Sequence, residues 1–305
     1  MKYHFSELSS QQGEYMRRIQ RLGIPAVALG LLLAACGSSN SSSKDTVADT
    51  VANMGTTDTM LDNGASAKID PTALGLIKDG AITVCTDAPY EPFEFQDATT
   101  KEWTGFDMDL MKVIATNIGG LSLNVTVQPF DGIWLAPKAK TCDLVASAMT
   151  ITAERSANAL FSEPYFDADQ SLLVRIADKA TLVDLASLKG KTIAVQTGTT
   201  GETYAKENAK DSTLKSFDEP AAMFLALEGK QVDAILQDLP VNGARQVKEP
   251  TKFALTATFA TGEQYGFALA QDNTTLASAI NSGLKAAKDS GEYDTIFAKY
   301  FGAKG

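Results

Sequence analysis

Histidine, cysteine and arginine are the scarce residues of this 305-residue chain: it has one histidine, His4, and three cysteines, and beyond residue 35 only Arg155, Arg175 and Arg245 carry a guanidinium. That scarcity excludes a Ser-His nucleophile pair, a cysteine- and histidine-spaced metal site and, with no glycine-lysine phosphate loop present, nucleotide chemistry. Acid–base catalysis would have to rest on carboxylates alone. Long apolar runs are missing too, because LGIPAVALGLLLAA falls short of the ~20 residues that a spanning helix needs. Positive charge is in deficit, with 27 Lys and Arg against 37 Asp and Glu and a formal charge of -10. Such a balance disfavours nucleic acid and anionic lipid as partners and leaves a small solute. What is abundant is ordinary: 44% hydrophobic and 21% charged residues, enough for a buried core and, at this length, for two domains.

The N-terminus reads as a processing signal. Arg17, Arg18 and Arg21 precede the short apolar run, and Met16 ahead of two arginines is a more natural start than Met1. The run ends in Leu33-Ala34-Ala35-Cys36, which resembles the lipobox of bacterial lipoproteins, where the cysteine is acylated and the preceding peptide removed. Residues 1–35 are thus expected to be a signal peptide and Cys36 the lipidation site. Removing them takes away four positive and two negative charges, so the charge moves from -10 to -12. Residues 36–68 are Ser-, Thr-, Asp- and Gly-rich and cannot offset their chain entropy by burial, so they read as a flexible tether. With Cys36 acylated, Cys85 and Cys142 remain as a pair in an oxidising compartment, which permits a disulfide. The expected strand register, with Cys85 late in one strand and Cys142 early in its neighbour, argues against it. Both forms stay open.

From residue 81 the pattern alternates. AITVCTD is a short apolar strand broken at Pro89, and GFDMDLMKVIATNIGG places Phe106, Leu110, Val113, Ile114 and Ile118 on one helical face. LSLNVTV is a strand, FDGIWLAPKAK a loop with a short helix, and DLVASAMTIT a strand running into polar residues. From 191 a second strand–helix series begins: KTIAVQ, TGTTGETYAKENA, STLKSF, EPAAMFLALEG and QVDAILQD. YGFALAQDN returns as a strand, and two helices close the chain. Two α/β units are implied, each with its own parallel sheet and its ligand-facing residues at strand C-terminal ends.

Seven blocks in order, TDAPYEPFEF, GFDMDLMKVIA, PFDGI, SAMTITAERSANALFSEPY, IAVQTGTT, QVDAILQD and SGEYDTIFAKYF, resemble family 3 of the bacterial extracellular solute-binding proteins, over about residues 78 to 302. The resemblance implies a two-lobed type II periplasmic binding protein fold, with a discontinuous first lobe of 69–173 and 266–305, a second lobe of 174–265, and hinge strands near 171–175 and 264–270. It further implies a monomeric, membrane-anchored extracytoplasmic protein that binds a free polar amino acid and passes it to the permease subunits of an ABC importer, without cofactor, metal or nucleic acid. On that pattern Arg155 matches the carboxylate-binding arginine, suited to bidentate pairing as lysine is not. Ser147 and Thr150 match assisting hydroxyls, and Ala148 departs from a serine common there. Asp238 matches the carboxylate that meets the ligand's ammonium, against the alternative of capping the next helix. Thr199 and Thr200 lie at a helix N-terminus, a natural anion site. Tyr90 and Phe130 match aromatic walls, and Asp87 would face the distal end of the pocket, favouring a cationic or amide side chain. Two other readings fit the same fold: a ligand-sensing module that feeds a receptor, and a periplasmic dehydratase-like enzyme using a carboxylate acid.

Overall fold

The computed structural model describes residues 70–302; the expected signal segment, Cys36 and the tether lie outside the described residues. The chain enters through β1 (Ala81–Thr86), six buried residues that fit a strand covered on both faces. It stops at two cis X-Pro bonds, Ala88-Pro89 and Glu91-Pro92, then forms the ribbon β2 (Phe95–Gln96) and β3 (Trp103–Thr104). Gly105 follows at φ +111, packed so closely that a Cβ there would sit 2.1 Å from the Phe93 carbonyl oxygen. Helix α1 (Phe106–Asn117) buries Phe106, Met108, Leu110, Met111 and Ile114. Next come β4 (Ser122–Val127), β5 (Leu144–Val145), the one-turn α2 (Ala153–Ser156) and β6 (Leu160–Phe161).

β7 (Phe166–Arg175) leads into the second lobe, which adds β8 (Thr192–Gln196), α3 (Thr200–Asn208), β9 (Thr213–Phe217), α4 (Pro220–Glu228), β10 (Ala234–Asp238) and α5 (Leu239–Lys248). β11 (Phe253–Tyr265) returns to the first lobe, which is completed by β12 (Ala268–Leu269), α6 (Thr274–Asp289) and α7 (Glu292–Phe301). The first sheet runs β4-β1-β5-β12-β6, with β4, β1 and β5 parallel, and the second runs β11-β7-β10-β8-β9, with β10, β8 and β9 parallel. In each, the parallel strands end toward the other lobe's polar strand ends, and antiparallel strands from the chain's crossings complete the sheet.

Two expectations change and one open alternative is resolved. Residues 171–175, read as a hinge strand, lie inside the second sheet, where Gln170 to Val174 pair with β10. The passage between lobes precedes them, on the first residues of the same strand, where the polar Asp169 and Gln170 are buried. The strand expected through DLVASAMTIT is only two residues long, since the chain turns at Ala148, whose φ is +42. Cys85 and Cys142 are disulfide-bonded with Cα atoms 5.7 Å apart. The register argument against that bridge fails because Cys142 lies ahead of β5 rather than within it, so strand pairing does not set its separation from Cys85.

Candidate functional site

The two lobes meet over a narrow cavity lined by Asp87, Tyr90, Glu94, Phe130, Ser147, Ala148, Thr150 and Arg155 from the first lobe and Gln196, Thr199, Thr200 and Asp238 from the second. All ten residues singled out from sequence are among them. The lining converges from strand ends: Asp87 just past β1, Ser147 just past β5, Gln196 closing β8 and Asp238 closing β10.

Arg155 is the cavity's one guanidinium and is 4% exposed, so it is not the surface residue that a helix start would suggest. α2 is capped by Thr152, whose hydroxyl accepts from the Arg155 N–H, and this fixes the turn that aims the side chain. Nη1 donates to the Thr150 carbonyl at 2.7 Å and Nη2 to the Gly198 carbonyl of the other lobe at 3.0 Å. The guanidinium also lies 5.2 Å from the Phe130 ring centroid and 5.1 Å from that of Trp134. Phe130 therefore serves as a wall for the arginine as well as for the cavity. Burial lowers the Arg155 pKa from its usual value while Asp238 and Glu263 act to raise it.

Asp238 precedes α5 but makes no capping bond. Its carboxylate instead accepts from Gln170 Nε2 at 2.6 Å and from the Tyr265 hydroxyl. Burial first, then the charge of Glu263, pushes its pKa up to about 7. The Asp87 carboxylate accepts from Gln196 Nε2 across the cleft at 2.6 Å rather than from its own turn, and burial raises it to about 6. Ser147 is fully used: its hydroxyl accepts from the Asp87 N–H and donates to Glu94 Oε1. Ala148, with no hydroxyl, contributes backbone, its N–H donating to Asp107 at 2.8 Å in a strained conformation that suits a site built from main chain. Thr199 caps α3, accepting from the Glu202 N–H and donating to the Gln196 carbonyl, so its hydroxyl is committed and the helix terminus itself faces the cavity. Thr150 and Thr200 both donate to Glu263, at 3.0 and 2.5 Å.

Sequence reasoning passed over Glu94, Gln196, Gln170, Tyr265, Trp134 and Glu263. Glu94 had a signal, since it sits in the TDAPYEPFEF block, and it proves fully buried with Oε2 unpartnered and its pKa held well above the usual range by burial and by Asp107. Gln196, the last residue of a strand like Asp238, could have been found by the same argument. Gln170, Tyr265 and Glu263 lie on the crossing strands, where no local pattern marks them.

A wider crevice of about 160 Å³ opens between the lobes beyond Tyr90, lined mainly by proline, alanine and aromatic residues. Its charges are paired, Arg245 with Glu249 and Lys248 with Glu91, each at 2.6 Å. Among the described residues no group of His, Cys, Asp and Glu is arranged to hold a metal, and no helix is long and apolar enough to cross a membrane.

Comparison with known proteins points the same way. The family model for bacterial extracellular solute-binding proteins, family 3, matches residues 82–303. The ABC transporter glutamine-binding protein GlnH of Bacillus subtilis (strain 168) is 30% identical over 290 residues, covering 93% of this chain and 97% of that protein. An ancestral arginine-binding protein bound to arginine superposes with a TM-score of 0.69 at 36% identity, covering 73% of this chain and 99% of that one. The ancestral amino acid-binding protein AncCDT-1, a precursor of cyclohexadienyl dehydratase, gives 0.68 at 34% identity over 73% of this chain and 96% of that one.

Proposed function

The chain belongs to the bacterial extracellular solute-binding proteins, family 3, and from that premise we propose that it captures a free polar amino acid between its lobes and delivers it to the permease of an ABC importer. The observation that carries this reading is the placement of Arg155 and Asp238 on opposite lobes around one cavity. A zwitterion losing its hydration needs a cation for its carboxylate and an anion for its ammonium, and these two residues supply them. Asp87 and Glu94 add two further carboxyl groups, and Glu94 Oε2 has no partner within the protein. A cationic or amide side chain provides one, whereas glutamate would add a like charge. The glutamine and arginine ligands in the names of the relatives fall in the same class.

In this reading Cys36 carries lipid, residues 36–68 form the tether, and a monomer works at the extracytoplasmic face of the membrane. The chain binds rather than converts its ligand. The carboxylic acids of the lining raised toward neutrality, Asp87, Glu94 and Asp238, each already accept a hydrogen bond that favours the ionised form. A thermal-shift screen of the twenty amino acids with ornithine and citrulline tests the proposal, because a ligand that binds only the native state raises the melting temperature. Stabilisation by arginine, lysine, ornithine, histidine or glutamine is expected. No response to any of them, or consumption of the added ligand by the purified protein, would contradict it.

A further inference from the structure

Glu263 lies on β11, one of the two strands that cross between lobes, just after a register shift between Phe259 and Glu263. Gly262, at φ +66, donates its N–H to Asp169 on β7, which anchors the shifted segment. The Glu263 carboxylate then accepts three donors from three places. Thr150 of the first lobe gives its hydroxyl to Oε2 at 3.0 Å, Thr200 at the start of α3 in the second lobe gives its hydroxyl to the same oxygen at 2.5 Å, and Gln170 on β7 reaches Oε1 at 3.1 Å. The same Gln170 amide donates to Asp238 at 2.6 Å. Glu263 is not part of the cavity lining, so it touches the solute's pocket only through these partners.

We infer that Glu263 is a positioning residue that couples lobe closure to the alignment of the binding groups. Thr150 and Thr200 stand on lobes that part when the cleft opens, so both hydroxyls reach one carboxylate oxygen only when the lobes are together. Opening must break at least one of these bonds, and a hydrogen bond to an ionised acceptor is stronger than one between neutral groups. Through Gln170 the same carboxylate holds the donor that orients Asp238. Glu263 thereby adds to the lifetime of the closed complex whatever the solute's side chain, and leaves solute entry to the open form untouched. The inference rests on the proposed amino acid binding, and the test separates the two.

Stopped-flow binding of the amino acid that stabilises the wild-type protein most is compared for wild type, Glu263→Gln and Glu263→Ala. If no amino acid binds wild type, the functional proposal fails, and this coupling with it. If wild type binds, the release rate is expected to rise about tenfold or more in Glu263→Ala. The association rate and the ligand-free melting temperature should be near those of wild type. Glu263→Gln, which keeps one acceptor oxygen, should fall between the two. A release rate in Glu263→Ala within twofold of wild type would overturn the inference while leaving amino acid binding standing. So would a loss that appears only in association or only as a lower ligand-free melting temperature.

Discussion

Arg155 is held almost out of water by two carbonyl oxygens and two aromatic rings, none of which neutralises its charge at close range. A carboxylate arriving in the cavity supplies that counter-charge, so the free energy of binding is concentrated on this one side chain. Truncating one partner of a buried charge pair costs roughly 3 to 5 kcal/mol, about half of the roughly 8 kcal/mol of a micromolar complex. Arg155→Ala is therefore expected to abolish calorimetrically detectable binding while the protein still unfolds cooperatively. Affinity within a few-fold of wild type would remove Arg155 from the site. The raised carboxylates give a second residue-scale prediction. Burial is the first cause that lifts Asp238 and Asp107 to about 7 and Asp87 to about 6, from a usual 3.8. Between 3.8 and those values the native state keeps protons that the unfolded chain has released, so for these groups stability falls as pH rises through that window. The ligand-free protein should melt at a higher temperature at about pH 5 than at about pH 8. The opposite order in a calorimetric scan would show that these carboxylates ionise freely in the fold.

At the scale of elements, closure depends on how near the turn before α3 comes to the first lobe. Gly198 has φ +75, and a Cβ there would lie 2.6 Å from Asp131 Oδ1 and 3.0 Å from Asp131 Cα. The second of these is backbone and cannot swing aside. Gly198→Ala should weaken ligand binding by about tenfold or more through overpacking of the closed cleft. The ligand-free protein should lose only about 1 to 2 kcal/mol, from the left-handed alanine. Equal losses with and without ligand would mean that the turn is a local folding element and not a closure contact. Legibility in the sequence followed the same division. β1, α1, β8, α3, α4 and β10 are apolar-periodic and bounded by Gly, Pro or Thr caps, and each could be read directly from sequence. β11 escaped because its alternating Thr, Phe and Glu residues are half-exposed. Residues at strand ends, such as Asp238, were visible. Glu263 was not, since its partners come from both lobes and no spacing in the chain links 150, 200 and 263.

Across the described residues, polar contacts between the lobes include Gln196 to Asp87, Arg155 to the Gly198 carbonyl, the threonine pair on Glu263, and the exposed Lys248–Glu91 ion pair, beside apolar residues of both lobes in one buried cluster. The ion pair is solvent-accessible on both sides and adds little. Such an interface can open, and it can be tipped toward closure by a solute that satisfies the charges buried inside it. The central claim is that a free amino acid bridges the lobes, its carboxylate on Arg155 and its ammonium on Asp238. A crystal structure of the protein grown with its best-stabilising amino acid tests this most directly. The account predicts the solute's carboxylate within hydrogen-bond distance of the Arg155 guanidinium, its ammonium on Asp238 and its side chain running toward Asp87 and Glu94. A solute bound in the crevice beyond Tyr90, or one that leaves Arg155 and Asp238 without contact to it, would contradict the account.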